Sequence, residues 1–216
     1  MTALKKIRRA IAKLALTPLT LPELLARRIA GRDVWFRTQT EVISLIPGTL
    51  GMNIRATYYH TMLPRSPMGC LYKLGTIVTS SKAEFGERVG IGRYAMIDQA
   101  TIGDDCIIGA GAQILSGKFS RGITDPKVPF GEQPGIVTRV RVGRNSWIGA
   151  NAVVMADVGE NCVVAAGAVV TRAFPSNKII VGNPARAVVD TFDQRLLDGR
   201  KTKVSEVRAS ADSQRE

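Results

Sequence analysis

Histidine is nearly absent: His60 is the one imidazole in 216 residues. Cysteine is scarce too, with Cys70, Cys106 and Cys162 an odd number at wide spacing and no CxxC pair. These absences argue against a disulfide framework and a structural zinc site, and they point to a reducing compartment. No apolar run approaches the ~18 residues of a membrane span. The opening stretch MTALKKIRRAIAKLALTPLTLPELLA is charged like a leader. Lys13, Pro18 and Pro22 nevertheless interrupt its apolar core and no small-residue cleavage site follows, so it reads as part of a mature, cytoplasmic protein.

What is present in excess is positive charge, a formal +12. Lys5, Lys6, Arg8, Arg9 and Lys13 are interleaved with Leu4, Ile7, Ile11 and Leu14, which fall on one face of a helix. Such a basic amphipathic helix over residues 1–15 suits an anionic membrane surface; the same stripe equally suits packing on the rest of the protein. Nucleic acid is not expected, since no recognition motif accompanies the charge. Thr20 and Glu23 form a capping box for a second helix that Gly31 can end. Asp33 can cap a third helix through Ile46, Pro47 and Gly48 make a turn, and Thr49 opens a fourth, LGMNIRATYYHTML. On that last helix His60 shares a polar strip with Asn53 and Thr57, between apolar ridges, and reads as a hydrogen-bonded residue at a helix seam.

From Phe85 onward the pattern changes. Aliphatic residues recur every six positions at Phe85, Ile91, Ile97, then Ile102, Ile108, Ile114, then Val142, Ile148, Val154, then Val158, Val164, Val170, with slips between blocks. The residue after each is nearly always Gly or small, and the fourth after it is again small: Val89, Ala95, Thr101, Cys106, Ala112, Ser146, Ala152, Cys162, Ala168. A period of six fits neither helix nor long strand. It predicts a parallel β-helix in which short strands form the sides of a prism, the aliphatics fill it, and glycine serves the corners. Cys106 and Cys162 then fall inside as core filler.

The repeat, with the segments EFGERVGIGRYAMID, VGRNSWIGANAVVMADVGENCVVAAGAVVTR and the closing IIVGNPARAVV, resembles the hexapeptide-repeat left-handed β-helix acyltransferases. SLIPGTLGMNIRATYYH is similar to the N-terminal part of members associated with surface-polysaccharide biosynthesis, the sugar O-acetyltransferases. The resemblance covers about residues 35–190. It implies a mainly β fold with a helical N-terminal region (1–65), a left-handed β-helix (66–189) with a protruding loop (116–139), and a C-terminal tail or short helix (190–216). It further implies a homotrimer that binds acetyl-CoA or another acyl-CoA as co-substrate in the cleft between neighbouring subunits. On that carry-over Trp147, Gly149, Ala150, Ala166, Gly167 and Ala168 line the pantetheine channel, and Arg172, Lys178 and Arg186 meet the phosphates. No metal is implied; the zinc site of a β-helix carbonic anhydrase would need three histidines.

Between the repeat blocks lies GAQILSGKFSRGITDPKVPFGEQPGIVTRVRVG. In the family's sugar-modifying members the loop after a Ser-Gly pair carries a histidine general base shortly before Asp-Pro. Here Ser116-Gly117 and Asp125-Pro126 frame the loop, but Arg121 stands in the histidine's place. An arginine with a pKa above about 12 does not accept a proton near neutrality. The base could instead be Asp125 or Glu132 with a raised pKa, or His60 delivered from elsewhere. Alternatively the fold serves as a non-catalytic scaffold or regulatory subunit. Arg121 with Lys118 and Lys127 would suit an anionic acceptor. The expected activity is CoA-dependent O-acyl transfer to a sugar of a surface polysaccharide or its lipid-linked precursor, by a cytoplasmic protein peripheral to the inner membrane.

Overall fold

The computed structural model describes residues 32–120 and 122–193. The predicted helices before Asp33, the position Arg121 and the tail beyond Asp193 lie outside the described residues.

Two helices come first, α1 (Arg32–Ser44) and α2 (Gly48–Met62). The first ends two residues before the expected Ile46, and the second starts at Gly48 with Pro47 as its N-cap. The cause is Arg55, which the helical periodicity does not reveal. Its side chain is completely buried. Nη1 donates to the carbonyls of Ile43 (2.9 Å), Ser44 (3.3 Å) and Ile46 (2.9 Å), and Nε donates to that of Tyr72 (2.9 Å). The guanidinium thus satisfies the free carbonyls at the end of α1, where the helix dipole also favours a cation, and ties α2 to the first coil of the prism. Burial pulls its pKa down. Gly51 lets the helices approach, since a Cβ there would lie 1.8 Å from the Ile46 carbonyl oxygen. Phe36, Tyr58, Tyr59, Tyr72 and Phe85 continue the contact as a chain of stacked and edge-on rings into the prism.

The rest is a three-sided parallel β-helix. Its first face carries β3 (Glu84–Phe85), β6 (Ala100–Ile102) and β9 (Val140–Val142). The second carries β1 (Leu71–Tyr72), β4 (Gly90–Ile91), β7 (Ile107–Ile108), β10 (Trp147–Ile148), β12 (Val163–Val164) and β14 (Lys178–Val181), closed by antiparallel β15 (Arg186–Asp190). The third carries β2 (Ile77–Val78), β5 (Met96–Ile97), β8 (Gln113–Ile114), β11 (Val153–Val154) and β13 (Val169–Val170). Each repeat aliphatic pairs in register with its counterpart one coil away, as Ile91 with Ile108 and Ile108 with Ile148. All twelve predicted aliphatics, Phe85 to Val170, are buried. The small residue two positions before an aliphatic is buried with it, because alternate strand residues share a side. Thr101 is the exception. A shortened step turns Ala100 inward instead, and the Thr101 hydroxyl accepts from Arg139 Nη1 at 3.0 Å on the outside.

Glycine's role at the corners also differs from expectation. The repeat glycines do not occupy positive φ; those positions belong to Arg88, Tyr94, Asp105, Asn145, Asn151, Asn161 and Asn177 together with Gly75, Gly111 and Gly167. Instead the coils approach so closely that a Cβ on Gly149 would sit 2.4 Å from the Ala166 nitrogen, and one on Gly103 2.5 Å from the Arg144 nitrogen. Where asparagines stack at one corner their amides form a ladder, Asn145 Nδ2 to Asn161 Oδ1 (2.8 Å) and Asn161 Nδ2 to Asn177 Oδ1 (3.1 Å).

The cysteines are buried free thiols, as a core role requires. Sγ of Cys106 donates to the Gly143 carbonyl (3.1 Å) and that of Cys162 to the Pro175 carbonyl (3.2 Å). Burial pushes the Cys106 thiol up to about 11 and raises the Tyr59 and Tyr72 phenols. Replacing Arg55 with alanine strands several buried carbonyls, a loss of about 3 kcal/mol. Thermal denaturation will show a Tm lower by roughly 6 to 12 °C. Above the ordinary thiol pKa the unfolded chain releases protons that the folded chain retains. The Cys106 contribution to stability will therefore be constant below pH about 8.5 and be lost as pH rises towards about 11; denaturant titrations across that window measure it.

Candidate functional site

The corners are not equivalent. Glycines Gly86, Gly103, Gly143 and Gly159 follow the aliphatics of the first face, and Gly92, Gly109 and Gly149 those of the second. After the third face the same position holds Thr79, Asp98, Leu115, Met155 and Thr171. Side chains fit at this third corner, the repeat slips there, and the loop leaves from it. At its root Ser116 is buried, and its Oγ donates to Asp98 Oδ2 while accepting from the Gln99 amide at 3.1 Å. Thr79 Oγ1 donates to the other carboxylate oxygen, Oδ1, at 2.9 Å. These two donors, from the coils on either side, fix the orientation of the carboxylate. The sequence hinted at Asp98 only as a non-glycine in a glycine register.

From Gly117 (φ 81°) the loop runs outward, and it returns with Ile136 N bonded to Phe119 O (2.7 Å) and Thr138 N to Ser116 O (3.0 Å). Its interior is organised by Gln133, which the sequence reading passed over. This buried amide accepts from the nitrogens of Thr124 (2.9 Å) and Asp125 (3.1 Å) and donates to the carbonyls of Asp125 (2.7 Å) and Val128 (2.7 Å). Arg139 fastens the return by an ion pair with Glu84 at 2.8 Å. The Asp125 carboxylate is exposed and accepts from the Lys127 amide at 2.8 Å, closing a turn. Glu132, Lys118 and Lys127 are also exposed, as are the apolar side chains of Phe119, Ile123, Phe130, Ile136 and Val137.

His60 is tied not to a second helix but to the segment entering the prism. Its Nδ1 donates to the Ser66 carbonyl at 2.8 Å, which fixes the tautomer, and the ring is exposed at the end of α2.

The residues carried over for acyl-CoA cluster towards the later coils. Ala150, Ala166 and Gly167 are exposed at the corner between the second and third faces, where small side chains leave the backbone accessible. Gly149 and Ala168 are buried, so only their backbone groups can contribute. Trp147 lies on the flat of the second face, 53% exposed, in an outward row with Leu71, Ile107 and Val163. Lys178 is already ion-paired with Asp190 across β14 and β15. Arg186 Nη1 donates to the Ala185 carbonyl (2.9 Å), and Arg172 lies over the Phe174 ring. Small exposed corner residues and two exposed arginines fit a phosphorylated, extended ligand; Lys178 would first have to leave Asp190. Among the described residues no group of three His, Cys, Asp or Glu could hold a metal ion, and no helix is long and apolar enough to cross a membrane. Substituting Gln133 with alanine will open the loop, speeding proteolysis between residues 118 and 138 at least tenfold while the prism's unfolding midpoint stays unchanged.

A family model described as the hexapeptide repeat of succinyl-transferase matches residues 86–117 and 139–172, the coils on either side of the loop. An acetyltransferase of Mycobacterium tuberculosis is 33% identical over 109 residues, covering 48% of this chain and 36% of the relative. An Escherichia coli protein described as a lipopolysaccharide biosynthesis O-acetyl transferase is 30% identical over 121 residues, covering 53% of this chain and 60% of the relative. The chain thus spans about a third of the first and three fifths of the second. Among solved structures, a maltose O-acetyltransferase from Clostridium difficile aligns with a TM-score of 0.52 at 19% identity, covering 73% of this chain and 85% of that one. That likeness makes the prism a left-handed parallel β-helix. With matched repeats flanking the loop on either side, the chain carries the hexapeptide repeat and is similar to the acyltransferases built on it.

Proposed function

We propose that the protein is a CoA-dependent O-acyltransferase that moves an acetyl or other acyl group onto a sugar hydroxyl of a surface polysaccharide or its lipid-linked precursor. It works as a homotrimer, at the inner face of a membrane. The observation that carries this reading is the loop, rooted at Ser116 beside the Asp98 carboxylate and interrupting a prism that otherwise repeats without a break. The sugar acceptor is supported by what the Escherichia coli relative is described as doing. The trimer is supported by the outward apolar row Leu71, Ile107 and Trp147, a surface suited to packing against a second prism, whereas the first face presents Glu84, Thr101 and Arg141.

In the reaction the acceptor hydroxyl loses its proton as its oxygen bonds to the thioester carbonyl carbon, and the CoA sulfur leaves and is protonated. Both Asp98 carboxylate oxygens already accept from hydroxyls, which suits it to position a hydroxyl at the loop's root. The base falls to a loop carboxylate, Asp125 or Glu132, once a neighbouring subunit covers it. Arg121, Lys118 and Lys127 bring cations to an anionic acceptor, and Arg172 and Arg186 to the donor's phosphates. A second reading, a non-catalytic scaffold, draws on the commitment of the Asp125 carboxylate to its own turn.

Calorimetry with acetyl-CoA separates the readings, since absence of binding at millimolar ligand overturns the transferase. Arg121→His is expected to raise turnover by about 10² or more, the usual worth of a general base. Asp125→Asn should lower the wild-type rate by a similar factor; an unchanged rate removes Asp125 from the mechanism.

A further inference from the structure

The corner between the second and third faces is one continuous edge, and its character changes once along its length. Here each coil bonds to the coil before it: the nitrogen of Gly167 donates to the Ala150 carbonyl (2.9 Å), Asn151 to Ala110 (2.9 Å), Gly111 to Arg93 (2.8 Å) and Tyr94 to Leu74 (3.0 Å). From the finish of the prism down to the coil that releases the loop, the corner pairs are Ala166 with Gly167, Ala150 with Asn151 and Ala110 with Gly111, none of them large. The next coil presents Arg93 and Tyr94, both exposed.

Tyr94 is out of place among its neighbours. The second residue of each pair lies in the left-handed region, and at Gly75, Gly111, Asn151 and Gly167 it is of a type that tolerates this conformation. A tyrosine at φ 57° is strained there. Its ring lies across the first coil, where a Cβ on Gly75 would be 2.2 Å from Cδ1. The residue nevertheless stays 65% exposed, so burial offsets little of the strain.

In the reading above, the donor's phosphates lie towards the finish, near Arg186, and the thioester lies at the height of the loop that carries the base. A pantetheine arm following the small residues therefore brings the thioester carbonyl to the coil of Ala110 and Gly111, with the acyl group directed towards the start. One coil further, about 4.8 Å, that group meets Arg93 and Tyr94. An acetyl methyl stops short of them. A hexanoyl chain, at about 1.5 Å per bond, has to cross that step and run into the ring and the guanidinium. We propose that Tyr94, with Arg93, is the stop that restricts the donor to short acyl groups. The inference rests on the transferase reading and its placement of the donor along this edge, and it adds where the channel ends.

The test is calorimetry of the full-length protein with free coenzyme A, acetyl-CoA and hexanoyl-CoA, which needs no acceptor. Wild type should bind hexanoyl-CoA about tenfold or more weakly than acetyl-CoA, the range in which the fit of a pocket discriminates chain length. Tyr94→Gly relieves the left-handed strain and uncovers the first coil's corner. It should bind hexanoyl-CoA about tenfold or more tightly than wild type does, with acetyl-CoA affinity unchanged and Tm no lower. Tyr94→Asn, the residue type present at Asn151, should shift the preference in the same direction by less. Three results overturn the proposal: hexanoyl-CoA binding to wild type as tightly as acetyl-CoA, an unchanged preference in both variants, or a gain for hexanoyl-CoA no larger than that for free coenzyme A. If free coenzyme A does not bind wild type, the transferase reading falls and takes the stop with it; if it binds and only the chain-length preference fails, the stop falls alone.

Discussion

The distance between stacked coils governs this molecule. Parallel strands sit about 4.8 Å apart, and at two of the three corners that spacing leaves no room for a side chain, so glycine recurs at Gly103, Gly109, Gly143 and Gly149. Those two corners hold mostly glycine, with Lys73 and Ala165 the departures at the second. The third, with Thr79, Asp98, Leu115, Met155 and Thr171, carries side chains, absorbs the slips of the repeat and releases the loop. Placement of the candidate site follows from this: the corner that tolerates side chains can hold a carboxylate bonded to hydroxyls from the coils on either side.

A prism built from parallel coils has open strand edges at its ends, and each end is closed differently. At the start, a guanidinium without a carboxylate partner gathers the carbonyls of α1 and of the first coil. At the finish, β15 turns back antiparallel on β14 and pairs Asp190 with Lys178. The first closure is polar and buried, the second polar and exposed. Arg55 thus occupies a carbonyl at the first edge, whereas β15 itself becomes the edge at the finish.

The parts of the molecule legible in the sequence are those set by local backbone geometry. Ile91, Ile108, Ile148 and Val164 announce their burial because every coil imposes the same alternation. The Thr101 error arose from one shortened step, which shifts the inward position to Ala100. Arg55, Gln133 and Asp98 were not legible, because each draws its meaning from partners met only after folding: the Tyr72 carbonyl for Arg55, the Thr124 and Val128 backbone for Gln133, Ser116 and Thr79 for Asp98. A polar residue's type says that it needs partners; the spacing of the repeat does not say which.

Gln133 gives the loop a property that the prism does not. Its amide fills both donor and acceptor roles within the loop's own backbone, so the fold of that segment is specified from inside rather than by the coils below it. The coils, in turn, keep register across the interruption, Gln113 pairing with Val153 as if nothing intervened. Scaffold and insert are therefore separable modules, and the segment between Gly117 and Thr138 can change its surface without any redesign of the strands that carry it.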